Sequence, residues 1–79
     1  MLTLISPEEN AEVSDSVRVA GILRDERLNV EINGRPVRMD EEGNFAVVMK
    51  VQVGGSSIII KISDAKGNAT TISRHVIRL

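Results

Sequence analysis

Apolar side chains recur at every second position through most of this sequence, a period that leaves little besides β-structure open to it. Val17, Val19 and Gly21 alternate with Arg18 and Ala20, and Leu28, Val30 and Ile32 alternate with Asn29 and Glu31. Phe45, Val47, Met49 and Val51 form a third set, and Ile58, Ile60 and Ile62 a fourth. Residues two apart share one face of a strand, so each set is a stripe that must be buried against another layer. No stripe at helical spacing competes with these. Val, Ile and Thr dominate the runs, and their branched, stiff side chains suit a pleated surface.

Turn chemistry breaks the runs at short intervals, as in a sandwich or barrel. Ser6-Pro7-Glu8-Glu9-Asn10 closes the first short strand, and Asp25-Glu26-Arg27 joins the second to the third. Asn33-Gly34 predicts a two-residue hairpin, because both residues tolerate positive φ. Pro36 lacks an amide donor and belongs on an edge or at a strand start. Gly54-Gly55-Ser56 is expected to open another turn. Asp40-Glu41-Glu42-Gly43-Asn44 is echoed by Asp64-Ala65-Lys66-Gly67-Asn68. In both, the Asp can accept backbone N–H bonds a few residues on while the Gly supplies a left-handed conformation.

About seven strands follow, at residues 2–5, 16–23, 28–33, 36–39, 44–53, 57–63 and 69–79. In the last, Ile72 and Val76 lie on one face while Ile77 and Leu79 lie on the other; a bulge or a frayed end would reconcile them. The continuous Ile58-Ile59-Ile60 would be aggregation-prone at a free edge, which puts its strand inside a sheet. Inward-facing Val19, Val30, Ile32, Phe45, Val47, Met49, Ile58, Ile60 and Ile62 would fill the space between two sheets.

Seventy-nine residues make room for one domain, spanning 1–79. A chain of this size buries only about 60% of its unfolded surface. It has no cysteine and a single histidine, His75, so neither a disulfide nor a Cys/His zinc site can supplement the core. Phe45 is the only aromatic residue, which removes the stacking platforms used for sugars and single-stranded nucleic acid. The 10 Lys and Arg are interleaved with 11 Asp and Glu, for a net charge of −1, without the basic footprint a phosphate backbone requires. No run approaches the ~20 apolar residues of a membrane span, and the first residues lack the basic and apolar regions of a signal peptide.

Each residue that could carry chemistry has a plainer account. His75 could be joined with Ser73 or Ser63 and Asp64 into a nucleophilic triad, but none lies in a nucleophile-elbow context, and His75 is expected to be a strand residue facing solvent or a neighbouring strand. Asp40, Glu41 and Glu42 could supply a glycosidase carboxylate or a metal ligand, yet a cleft with a partner across it is needed. Neither Asp-Gly segment has the ligand spacing of an EF-hand, so a turn is expected and calcium is not. Asn68-Ala69-Thr70 matches a glycosylation acceptor by coincidence with a turn asparagine. Arg18, Arg24, Arg27, Arg35 and Arg38 are expected to be diluted by Asp25, Glu26 and Glu31 on a mixed surface. The apolar residues in outward phase are Val48 and Ile59, and a patch around either would mark a contact with a neighbouring module or partner.

The order Val17-x-Val19-x-Gly21, Asp25, Val30-x-Ile32-Asn33-Gly34-x-x-Val37, Asp40-x-x-Gly43-x-Phe45, Gly54 and Ile58-x-Ile60-x-Ile62-x-Asp64-x-x-Gly67-Asn68 resembles the bacterial immunoglobulin-like modules, including the domain beside glucodextranase-type catalytic domains. The resemblance runs from about Ile5 to Ile77. Ser56-Ser57 stands where such modules often carry Asn, so the preceding turn is expected to differ in shape. The resemblance implies an all-β, immunoglobulin-like antiparallel β-sandwich, excised from a larger bacterial protein that is exported or attached to the cell envelope. It implies a non-catalytic spacer or contact module whose partners are neighbouring domains or another protein. No catalytic residue and no cofactor come with it. The alternative is an accessory domain for carbohydrate, with or without calcium.

Overall fold

Two sheets of unequal width bury the alternating stripes against each other. The computed structural model describes residues 2–25 and 27–79; Met1 and Glu26, the latter expected in the second turn, lie outside the described residues. Every regular element among the described residues is a strand: β1 (Leu2–Ser6), β2 (Ala11–Val13), β3 (Ser16–Leu23), β4 (Asn29–Ile32), β5 (Arg35–Val37), β6 (Asn44–Lys50), β7 (Gly54–Ser63) and β8 (Ala69–Arg78). The narrow sheet is ordered β1-β3-β6 and the wide one β2-β8-β7-β4-β5. This is the expected immunoglobulin-like β-sandwich.

Eight strands replace the expected seven, because the chain after Pro7 crosses from one sheet to the other. Ala11–Val13 pairs with Val76–Arg78 in parallel, so the sandwich is not wholly antiparallel. Three residues are too few for alternation to register in a sequence. The loop before β2 holds the edge of β8 at His75: the His75 N–H donates to Glu9 Oε1 at 2.6 Å, and the Asn10 N–H donates to the His75 carbonyl at 2.7 Å.

Two other expectations change. Gly54-Gly55-Ser56 is not a turn but the start of β7, in register with Arg78, Ile77 and Val76. The His75 ring lies over Gly55, where an added Cβ would come within 2.8 Å of it. A side chain there would compete with the histidine, so glycine within the strand marks a close approach. The pairing of β7 with β8 then runs unbroken from Gly54↔Arg78 to Ser63↔Ala69, without the bulge considered for the last strand.

The hairpin, the proline edge and the place of the isoleucine strand are as expected. Asn33 and Gly34 both have positive φ, 50° and 82°, and join β4 to β5 by the foreseen hairpin. Pro36 sits on the edge strand β5, where its missing N–H costs no ladder bond. β7, with its three consecutive isoleucines, lies between β8 and β4.

The core contains Val19, Val30, Ile32, Phe45, Ile58, Ile60 and Ile62 as expected, with Val17, Leu23, Val51 and Val76 added. Val47 and Met49 face inward but are only half-buried, since β6 ends its sheet with nothing beyond it. Phe45 packs over Gly21, its partner across β3 and β6; a Cβ on Gly21 would lie 2.8 Å from the ring and 2.9 Å from the Thr3 carbonyl oxygen. The only phenyl ring of the chain therefore needs the only glycine of β3. Phe45→Ala should cost about 3–5 kcal/mol by leaving a cavity. Gly21→Ala should cost about 1–3 kcal/mol by overpacking the same place. Chemical denaturation of the two variants checks both, and an unchanged midpoint in either would contradict this packing.

Candidate functional site

The strand directions separate the chain ends. β1 starts beside Leu23 at the end that carries the β3–β4, β5–β6 and β7–β8 connections. β8 finishes beside Gly54, at the opposite end, near the β2–β3 and β6–β7 connections. The body between measures 39 × 23 × 18 Å. Polypeptide thus enters at one pole of the sandwich and leaves at the other.

Three aspartates gather at the entry pole, each serving its own turn. Asp40 Oδ1 accepts the N–H groups of Glu42 and Asn44, both at 2.9 Å, while Oδ2 accepts Asn44 Nδ2 at 3.2 Å. Asp64 repeats this with Lys66 at 2.9 Å, Asn68 at 3.0 Å and Asn68 Nδ2 at 3.0 Å. Gly43 and Gly67 close the two turns at φ 87° and 90°. Gly43 is also pressed against the Leu23 backbone, so a side chain there is doubly excluded. Asp25 instead accepts from the Arg27 backbone and guanidinium, at 3.0–3.1 Å. The echo seen in the sequence is one hydrogen-bonded motif built twice, and it absorbs both oxygens of each repeated aspartate.

The residues weighed for catalysis are not brought together. His75 is exposed and pairs across the sheet with Ser57, whereas Asp64 follows Ser63, which pairs with Ala69. Six strand residues, roughly 20 Å, separate His75 from that end. Glu41 and Glu42 are exposed on their turn. Asn68 is held by Asp64, as its turn role requires. The arginines scatter: Arg18 is on β3 of the narrow sheet, Arg35 on β5 of the wide one, and Arg24, Arg27 and Arg38 lie in connections. Among the described residues no group of three or more His, Cys, Asp or Glu side chains converges on a metal-sized site.

Val48 and Ile59 lie on opposite outer faces. Val48 is 70% exposed on β6, and Ile59 is 45% exposed on β7. Ile59 sits in a polar setting, across from Ser73, with Ser57 and Lys61 in phase on its own strand. Val48 has Ala46 two positions away and, on β3, Arg18 opposite. Sequence reasoning identified both as outward, but could not assign them to different sheets, because that needs the strand order.

The aspartate turns set a pH dependence. Asn44, through its backbone N–H, holds the Asp40 carboxyl below its ordinary value of 3.8. The Asn68 side chain does the same for Asp64, and Arg27 for Asp25. A carboxyl lowered by folding stabilises the fold above its unfolded value, and that contribution is lost as pH falls through the folded one. Asp40→Ala and Asp64→Ala should therefore lower Tm at pH 7, with the gap to the parent chain narrowing below pH 3.8. Melting curves across that range test it; a gap independent of pH would show that the charge is irrelevant to the turns.

Comparison with known proteins agrees with this architecture. A fibronectin(III)-like module structure of Clostridium thermocellum CbhA superposes with a TM-score of 0.65 at 20% identity, over 99% of this chain and 95% of that one. At that identity the likeness concerns the fold. No curated protein matches the sequence. The family model of glucodextranase domain B matches residues 1–78. This chain belongs to the glucodextranase domain B family.

Proposed function

We propose that this domain is a non-catalytic structural module that spaces or contacts neighbouring domains of a larger protein. The observation that carries the reading is the placement of the two chain ends at opposite poles of a body 39 Å long. Domains attached there are held apart by a sandwich whose connections are short and hydrogen-bonded. The family is itself named for one domain of a glucodextranase, which supports an accessory rather than an independent role.

The chemistry of the surface favours the same reading. A nucleophile, a base and an orienting group must lie within hydrogen-bond reach of one another. Here His75 and Asp64 sit far apart along the sheet. An accessory carbohydrate domain is the alternative, and Phe45, the only Phe, Tyr or Trp, is buried and cannot stack on a sugar.

Spin labels at Thr3→Cys and Leu79→Cys should give one narrow distance distribution approaching the 39 Å length of the body. It should not change on addition of calcium or polysaccharide. Saturable calorimetric heat with either would overturn the spacer reading in favour of the ligand-binding one. Ile59→Lys should shift stability by no more than about 0.5 kcal/mol, as an isolated surface change does. If Ile59 instead contacts a neighbouring domain, the same variant weakens that contact in the parent protein, which interdomain crosslinking would read.

A further inference from the structure

The edge strands β1, β2 and β5 each carry a device that discourages strand addition and β6 does not; β8 is also open from Ala69 to Arg74, beyond the reach of β2, but no groove of the facing sheet flanks it as one flanks β6. β2 and β5 are three residues long, and β5 contains Pro36. β1 shifts register between Leu4 and Ser6 and ends at Pro7. β6 has seven residues, Asn-Phe-Ala-Val-Val-Met-Lys, in unbroken register with β3 and with a single charge at its far end. Short length, proline, bulges and charge are the usual protections of an edge. β6 has almost none.

Its free hydrogen-bonding groups can be named. The Leu23 N–H donates to the Gly43 carbonyl at 2.8 Å, and the Val51 N–H to the Asp15 carbonyl at 3.1 Å, bracketing the ladder between β3 and β6. Alternation in an antiparallel pair then points the amides and carbonyls of Phe45, Val47 and Met49 toward β3. Those of Ala46, Val48 and Lys50 point outward. The outward groups of Asn44 are already used: its N–H donates to Asp40 Oδ1, and its carbonyl accepts from the Asp40 N–H. Three residues therefore offer three donors and three acceptors with no strand beyond them.

Beside this edge lies a groove of about 690 Å³, walled by β6 and by the β4–β5 hairpin of the facing sheet. Its apolar lining includes Ile32, Val37, Val47 and Met49, and its two charged residues, Arg35 and Lys50, are both cationic. The groove lies where β6, the last strand of the three-stranded sheet, meets the β4–β5 hairpin that ends the five-stranded one.

We infer that β6 accepts an extended, alternately apolar polypeptide strand, antiparallel to it, with an acidic residue at the strand's N-terminal end. Antiparallel addition places that end beside Lys50 and Arg35 and the other end beside the acidic turn Asp40-Glu41-Glu42. Main-chain bonds to Ala46, Val48 and Lys50 supply affinity, and every second side chain packs over Val37, Val47 and Met49. The inference goes beyond the spacer role and does not rest on it.

The test is a titration of the isotope-labelled chain with the capped heptapeptide Glu-Val-Thr-Val-Thr-Val-Lys, followed by amide chemical shifts and hydrogen exchange. The amides of Ala46, Val48 and Lys50 should shift saturably and exchange more slowly, with Kd of about 0.1–1 mM, the range of a small transient interface. Val48→Pro removes an outward donor without touching a bond to β3, and should weaken binding about tenfold or more. Should that variant fail to fold, Lys50→Glu, on an exposed side chain, should reverse the preference between this peptide and its charge-exchanged counterpart Lys-Val-Thr-Val-Thr-Val-Glu. Absence of saturation up to about 2 mM, well above the expected Kd, or equal affinity for the two peptides would overturn the inference. So would shifts centred on β1, on β2 or on the stretch of β8 that β2 leaves unpaired, Ala69–Arg74. Concentration-dependent shifts of the same amides in the chain alone, without response to peptide, would assign the edge to a second copy and overturn it too.

Discussion

The fold depends on burying two aliphatic faces of unequal width with almost no help from large rings. The largest fully buried side chains among the described residues are Leu23, Ile32, Ile58, Ile60, Val19, Val30 and Val76, all branched aliphatics. Such residues give a tight interior only when the sheets approach closely and strand register is correct, because a slip by one residue turns the stripe to solvent. The single phenyl ring enters where β3 makes room for it, over Gly21. Among the described residues, no buried polar or charged residue interrupts this interior. Apolar packing thus carries the stability of a chain that has no cysteine with which to form a disulfide.

Register is held at the poles. The two aspartate turns repeat one arrangement, in which a carboxylate gathers the N–H groups of the turn and the side-chain amide of the asparagine that starts the next strand. Each turn also closes through its own backbone, Asp40 to Asn44 and Asp64 to Asn68. At the other pole the Arg78 guanidinium donates to the Val51 carbonyl at 2.8 Å, linking the last strand of the wide sheet to the end of the narrow one. These polar contacts lie where water competes, so their value is positional more than energetic. They fix which residues of neighbouring strands stand opposite one another.

What the sequence made legible follows from the range of the interactions involved. Alternation and turn chemistry are local, and they gave the inward faces of β3, β4, β6 and β7, the Asn33-Gly34 hairpin and both aspartate turns. β2 was missed because it is three residues long and owes its existence to a partner more than sixty residues away. Gly54 and Gly55 were misread because glycine signals a turn locally, whereas here the deciding contact is the His75 ring across the sheet. The half-burial of Val47 and Met49 was invisible for a related reason. Their phase is local, but the missing neighbour beyond β6 is a property of strand order. Val48 and Ile59 were recognisable as outward for the same local reason, and their placement on opposite faces was not.

Strand order also explains why function in such a domain should be sought in backbone rather than side chains. A sandwich without an exposed Phe, Tyr or Trp, and without converging titratable groups among the described residues, has few directional contacts to offer except unpaired amides and carbonyls at its edges. Those groups are costly to leave beside apolar surface with no partner but water, and they invite indiscriminate pairing. Protection of β1, β2 and β5 shows that this sequence carries the means of blunting an edge, in a bulge, in brevity and in Pro36. The same means at Val48 would need only one proline or lysine, on a side chain that is 70% exposed. An apolar residue there, next to the groove between β6 and the β4–β5 hairpin, is what an edge kept available for another strand requires.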